Sequence, residues 1–433
     1  MWGPSLHTVS LRFEEKITIA GCEKGMVIIM GLSPKRVVKK GIKKIKKKIK
    51  PVILGIYRTA CTVLPLNKNI ILFESNLGRN YTGNPRAIYE EMVQQGLDKK
   101  YRCYYILEDP NTPLPGEAKA VKRSRLKYFY LFATAGIWVC DTRLPKYIIK
   151  RPGCTYIQTW HGTPLKKLAL DMDTVFMAGE KGIDNYKKNF YDNAQTWDYL
   201  ISQNHFSTEI FRRAFAFGKE MLEIGYPRND VLFAKNNSKD IMELKKQLGL
   251  PLDKKIILYA PTWRDNEFYG KGNYKFNPPL DFGELRSSLG DEYVMIVKYH
   301  YLVMDQIDWT PYQGFVYSCD LSYDISLLYL VSDMMITDYS SVMFDYSLLK
   351  RPMLFFCYDL EQYKDTLRGF YFDFLAEAPG PVTLTGEELV AAVKNYDAAQ
   401  YKAKQEAFYQ KYNHADDGNA SLRVVELIQK VSQ

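Results

Sequence analysis

The sequence predicts an α/β protein with two parallel-sheet domains in tandem, preceded by a basic amphipathic segment. Three observations support this. The 433 residues exceed what one core holds, so two domains of roughly 180 residues each plus an extension are expected. Short apolar runs alternate with helical patterns twice along the chain, as strands and crossover helices do. The net charge of +10 comes from one place, because Lys35 to Lys50 holds ten Lys or Arg and no acid. Elsewhere the basic residues balance the 49 acidic ones. A nucleic-acid-binding domain spreads its charge over a folded face, so that class is disfavoured.

Residues 1–34 read as an extension of uncertain membership in the working protein. Glu23 and Lys24 interrupt their apolar runs, which does not suit a signal peptide. Residues 35–66 form the basic amphipathic segment. Val38, Ile42, Ile45, Ile49, Ile53 and Ile56 recur at spacings of three and four, giving one apolar stripe with lysines opposite. That pattern suits a helix lying on an anionic membrane surface. Pro51 is expected to kink or end it, and a solvated basic tail is the competing reading. No run of 18 uncharged apolar residues is present to span a bilayer. The seven cysteines contain no CxxC pair and mostly sit in apolar runs, which predicts buried, reduced thiols in a cytosolic chain.

The first domain is expected over residues 67–235. Its strands fall at Asn69–Glu74, Tyr101–Leu107, Ile137–Asp141, Cys154–Thr159, Tyr199–Ser202 and Leu222–Gly225. Its helices fall at Pro85–Gln95, around Leu126–Thr134 and at Thr208–Phe217. A polar helix, Asp240–Leu248, marks the boundary. The second domain, residues 250–415, has strands at Lys255–Ala260, Tyr293–Lys298, Phe315–Ser318, Met334–Thr337 and Met353–Cys357. Helices are expected at Ile325–Val331 and Val342–Leu349. The tail Leu389–Val431 reads as helical, with residues 416–433 expected to pack back on the first domain.

Chemistry is expected at strand ends. His161 follows a strand that Gly162 and Pro164 break, a place suited to a base beside a phosphate. A structural histidine is the alternative. Thr337, Asp338, Ser340 and Ser341 end a strand and open a helix, where free N–H groups and hydroxyls favour an anion. The competing reading makes Ser340 an N-cap. His300, Arg264 and Arg368 lie at strand ends or loops of the same domain and would surround a phosphate with fixed donors. No carboxylate pair reads as a magnesium clamp, and no P-loop or GxGxxG is present. Neither metal nor cofactor is therefore expected, and a kinase or dinucleotide-dependent dehydrogenase is disfavoured.

Five segments occur in order: Gln158-Thr-Trp-His-Gly-Thr-Pro-Leu-Lys166, Gly225-Tyr-Pro-Arg-Asn-Asp230, Ala260-Pro-Thr-Trp-Arg264, Thr337-Asp-Tyr-Ser-Ser341 and Arg368-Gly-Phe-Tyr-Phe372. Together they resemble the CDP-glycerol glycerophosphotransferase family of wall teichoic acid synthesis, over roughly residues 68 to 425. The resemblance implies a GT-B-like fold, with two Rossmann-like domains facing a cleft and a basic surface mounted on the cytoplasmic face of the membrane. It implies transfer of a polyol phosphate from CDP-glycerol or CDP-ribitol to a polyprenyl-pyrophosphate-linked saccharide acceptor, releasing CMP. It makes His161 the general base, His300 a second catalytic histidine at the donor phosphates, and Ser340 and Ser341 the pyrophosphate loop. Arg368 would neutralise developing charge, and Arg264 matches a donor-side loop. Lys166, Lys167 and Thr163 fall on the acceptor side. One departure is that His300 is followed by Tyr301, where the family often has proline. A GT-B glycosyltransferase using a nucleotide sugar is the alternative enzyme. The lack of an obvious extra domain leans towards a primase or short-chain enzyme.

Overall fold

The computed structural model describes residues 8–10, 16–22, 25–30, 50–175, 182–262, 268–270, 273–274, 280–298, 308–318, 323–360 and 369–433. Met1–Leu64 and Pro65–Gln433 form separate compact units. The first unit holds a three-stranded antiparallel sheet of Thr8–Ser10, Lys16–Cys22 and Gly25–Met30. It also holds a helix over residues 50–63. Most of the expected lysine stripe lies outside the described residues. Pro51 lies in the first turn of this helix, and the expected kink or end there involves residues before 50 that lie outside the described ones. Val52, Ile56 and Val63 share one face at spacings of four and seven and stand 62%, 62% and 69% exposed, while Tyr57 and Cys61 are buried.

The second unit contains two parallel sheets. The first has seven strands in the order Glu220–Glu223, Tyr199–Ser202, Thr155–Gln158, Ala135–Cys140, Asn67–Glu74, Arg102–Leu107 and Lys119–Lys122. The second has six, in the order Val316–Ser318, Tyr293–Val297, Lys255–Tyr259, Met334–Thr337, Met353–Phe356 and Val382–Thr383. Every pairing in both is parallel. Such strands are covered on both faces, which is why Ile71, Leu72 and Phe73 read as an unbroken apolar run and are fully buried.

Departures from expectation have local causes. The edge strand Lys119–Lys122 sets two apolar residues between lysines and Val382–Thr383 is two residues long, so neither stands out. The helix Ile183–Ala194 is mostly polar, but Tyr186, Phe190 and Ala194 recur every four residues and are its buried face. The helix expected at Thr208 starts at His205, because the Asn204 side chain accepts from Ser207 N–H at 2.8 Å and caps it. The helix expected over Val342–Leu349 is α only to Tyr346 and tightens to a 3₁₀ turn at Ser347–Leu349. Cys61, Cys103, Cys140, Cys154 and Cys357 are buried.

The tail forms the helices Gly386–Lys394, Ala398–Tyr412 and Ala420–Val431. The last packs against the first-domain helix Gly83–Gln94. The Asp230 carboxylate accepts from Ala420 N–H at 3.1 Å and Ser421 N–H at 2.7 Å, so the first domain caps this helix.

Candidate active site

A cleft of about 310 Å³ opens at the carboxyl ends of both sheets. His161, Asp141, Thr142, Asn76 and Asn80 line it from the first domain, and Lys298, Tyr323, Asp324, Ser340 and Ser341 from the second. Ligands of open α/β sheets gather at such strand ends. The structure therefore brings His161 together with the serine loop, although His161 and Ser340 are 179 positions apart in the chain.

His161 is placed by a strained turn. Trp160 adopts a left-handed backbone with φ of +51°, unusual for a bulky residue. Asn84 holds that turn by donating to the carbonyls of Thr159 and Trp160 at 3.2 and 3.0 Å. The Trp160 indole then stacks on the imidazole, with centroids 4.4 Å apart. His161 Nδ1 lies 2.7 Å from the carbonyl of Asp141. A carbonyl only accepts, so Nδ1 carries the hydrogen and Nε2 of the neutral ring keeps its lone pair. Desolvation chiefly, with the Arg228 and Arg143 charges, lowers the imidazole to about 4, against the raising effect of the Asp141 carbonyl. That lowered value keeps the ring neutral near pH 7, and the exposure of the residue to the cleft leaves it reachable.

Arg228 ties the two sides together. Its Nη1 donates to the His161 carbonyl at 2.8 Å, and its Nη2 donates to Asp345 of the second domain. Asp345 sits in the short helix that follows the serine loop. Burial raises the Asp345 carboxyl while Arg228 draws it back down, and Asn229 donates to it at 3.1 Å. Asp416 lies beside this pair, accepting from Gln203, Asn229 and Tyr226 N–H, and burial pushes it up to about 7. Burial likewise pushes Asp141 up to about 7.

The other expected site residues fall in different places. Ser340 and Ser341 are half-buried in the cleft, and neither caps the following helix with its side chain. Thr337 and Asp338 do not line the cleft. The Thr337 hydroxyl donates to the Ala260 carbonyl at 2.8 Å and Asp338 accepts from Thr262 N–H at 2.9 Å, so they hold the loop after Lys255–Tyr259. Thr163 is 1% exposed, with its hydroxyl donating to Gln203 at 2.6 Å. Lys166 and Lys167 are half-buried. Their backbone pairs with the aromatic motif, through a bridge between Lys166 and Phe370 and a bond from Lys167 N–H to the Gly369 carbonyl at 2.9 Å. Leu165 joins the second domain's hydrophobic core. His300, Arg264 and Arg368 lie outside the described residues.

Sequence reasoning missed Asp141 as a site residue and the contacts made by Asn84, Arg228 and Asp345. Arg228 lay within a recognised segment, but only its neighbours across the cleft reveal what it holds. Among the described residues, no group of three or more His, Cys, Asp or Glu is arranged to hold a metal ion. No described helix is long and apolar enough to cross a membrane.

Two Rossmann-like domains, with a neutral histidine on one wall of their cleft and a serine loop on the other, define a two-domain group-transfer architecture. The chain belongs to the CDP-glycerol:poly(glycerophosphate) glycerophosphotransferase family, whose model matches residues 56–430. It is 47% identical over 404 residues to a teichoic acid poly(glycerol phosphate) polymerase of Bacillus subtilis, covering 92% of this chain and 54% of the relative. The chain thus spans about half the length of that polymerase. A teichoic acid glycerol-phosphate transferase of Staphylococcus aureus is 43% identical, covering 89% of this chain and 100% of the relative. A Bacillus spizizenii poly(ribitol-phosphate) polymerase is 31% identical, covering 84% of this chain and 57% of the relative. The solved wall teichoic acid polymerase TagF superposes with a TM-score of 0.83 at 42% identity, covering 93% of this chain and 99% of that one. A variant of it has been solved with CDPG.

Proposed function

We propose that this protein transfers glycerol phosphate from CDP-glycerol to a hydroxyl of a polyprenyl-pyrophosphate-linked acceptor, releasing CMP, in teichoic acid synthesis. The observation that carries this is the neutral His161, with Nε2 available, in the same cleft as Ser340 and Ser341. The acceptor hydroxyl oxygen attacks the donor's β-phosphorus, and His161 Nε2 takes its proton. A new phosphorus–oxygen bond forms as the bond from that phosphorus to the CMP oxygen breaks. Ser340 and Ser341 donate to phosphoryl oxygens, and the Lys298 side of the cleft supplies positive charge. His300, Arg264 and Arg368 would complete the donor site.

Glycerol is favoured over ribitol because relatives at 43–47% identity are named for glycerol phosphate, whereas those named for ribitol phosphate stand at 29–31%, a range that also holds one glycerol-phosphate primase at 30%. Repeated addition is favoured over a primase by the likeness to polymerases. The exposed apolar face of the helix over residues 50–63, continuous in sequence with the lysine run, supports peripheral mounting on the cytoplasmic face of an anionic membrane.

The test uses the full chain with CDP-glycerol, CDP-ribitol and a lipid-linked acceptor. CMP release with CDP-glycerol, abolished in a folded His161→Ala variant, is expected. Release of a nucleoside diphosphate from a nucleotide sugar would instead make the protein a glycosyltransferase.

A further inference from the structure

The helix Gly83–Gln94 begins without a cap of its own, since the Thr82 side chain makes no capping bond. Its first amide, on Gly83, donates instead to Asp324 Oδ2 of the second domain at 2.8 Å. Asp324 Oδ1 meanwhile accepts from Ser326 N–H at 3.1 Å and caps its own helix, Ile325–Val331. Arg86 of the first domain stands 3.7 Å from the same carboxylate. One side chain therefore terminates two helices on opposite sides of the cleft, and both Gly83 and Asp324 line that cleft.

A second pair of the same polarity crosses nearby, with Arg228 from the first domain and Asp345 from the second. The two differ in strength. Arg228 and Asp345 have side chains 12% and 2% exposed and are directly hydrogen-bonded. Arg86 and Asp324 are 24% and 10% exposed and lie farther apart. Screening weakens the more exposed pair first.

We propose that Asp324 is a positioning residue for the transfer reaction: by capping a first-domain helix from the second domain, it sets the spacing between His161 and the serine loop. The Arg228–Asp345 pair is the fixed point, and the Asp324 contact is the adjustable one. This rests on the proposed transferase reading, since the spacing matters only if a base and a donor site must meet. Small displacements of reacting groups cost far more in turnover than in binding.

The experiment compares wild type, Asp324→Asn and Asp324→Ala in the full chain. Asparagine keeps an oxygen for Gly83 N–H and loses the charge, whereas alanine loses both. Small-angle X-ray scattering reads the spacing, and CMP release from CDP-glycerol reads turnover. Expected are a larger radius of gyration in the alanine variant and a kcat at least tenfold lower, with donor KM within about twofold. Asparagine should restore part of both. Unchanged scattering and kcat in Asp324→Ala would overturn the proposal. So would a lowered melting temperature with equal losses in both variants and no change in scattering, which would mark a merely structural cap. If wild type released no CMP, the transferase reading would fall, while scattering would still decide whether Asp324 sets the spacing.

Discussion

The Ser341 hydroxyl oxygen lies 2.8 Å from the point where a side chain on Gly162 would begin. Here the histidine segment and the serine loop touch, and the absence of a Cβ allows it. Gly162→Ala forces one of them to move, at a cost of about 1–3 kcal/mol for overpacking. A melting temperature lowered by several degrees and CMP release reduced at least tenfold are expected. Gly162→Ala with Ser341→Gly should recover the melting temperature and not the activity. A single variant with wild-type stability and turnover would show the contact to be slack.

Arg228 is expected to matter for both stability and turnover. Removing one partner of a buried pair leaves the other charge uncompensated, at about 3–5 kcal/mol. Arg228→Gln should therefore unfold at markedly lower urea concentration, because Asp345 is left behind. Arg228→Gln with Asp345→Asn should regain most of that stability. It should stay slow in CMP release, since the His161 carbonyl has still lost its donor. Urea melts of the two single variants and the double variant separate these effects.

The pH dependence of the base follows from its surroundings. His161 is held down to about 4, so the neutral form dominates from pH 5 upward. Its proton-accepting role should be insensitive to pH over that range and fall away only as pH drops through 4. Nitrogen NMR of the labelled imidazole checks this directly. A titration near 6.5, or a hydrogen on Nε2 in the neutral ring, would contradict the proposed base.

Glu74 makes an opposite, thermodynamic prediction. Burial, opposed by Arg123, pushes its carboxyl from 4.5 up to about 7. The folded state then binds the proton more tightly than the unfolded chain. Stability is fully present below the unfolded value and is lost as pH rises towards 7, by up to about 3 kcal/mol. Glu74→Gln cannot ionise. Its stability relative to wild type should therefore improve between pH 5 and pH 8 in urea melts. An unchanged difference between the two pH values would mean that Glu74 is an ordinary carboxylate.

The membrane prediction concerns the helix over residues 50–63. Val52, Ile56 and Val63 are exposed, so serine at all three should leave the melting temperature within a degree or two. Co-sedimentation with vesicles of anionic lipid should fall severalfold. Replacing the lysines of 43–50 with glutamine should release the protein further and abolish its salt sensitivity. Undiminished binding in both variants would remove this segment from membrane association.

Much of the fold was legible because parallel strands announce themselves. Tyr199–Ser202, Ile325–Val331 and Met334–Thr337 lie where the sequence predicts them, since each is a compact apolar element between breakers. The strand Lys119–Lys122 was not, because two apolar residues between lysines look like any surface stretch. In the site, His161 and the serines were visible from their place at strand ends. Asp141 was hidden, because it contributes a backbone carbonyl that any residue supplies. Thr163 entered through the family resemblance alone, and its burial, which sets its partners, is not legible from a motif.

The return of the helix Ala420–Val431 to the helix Gly83–Gln94 has a consequence for protein engineering. Each sheet looks like an exchangeable cassette, but the chain has woven them together. The first domain lacks a helical buttress when cut away near residue 250. The second loses the segment that Leu165 fills and the ladder made by Lys166 and Phe370. Chimeras between relatives that swap halves at the linker should aggregate or stay inactive. Those that exchange residues 67–249 together with 420–431 should fold, making that discontinuous pair the heritable module.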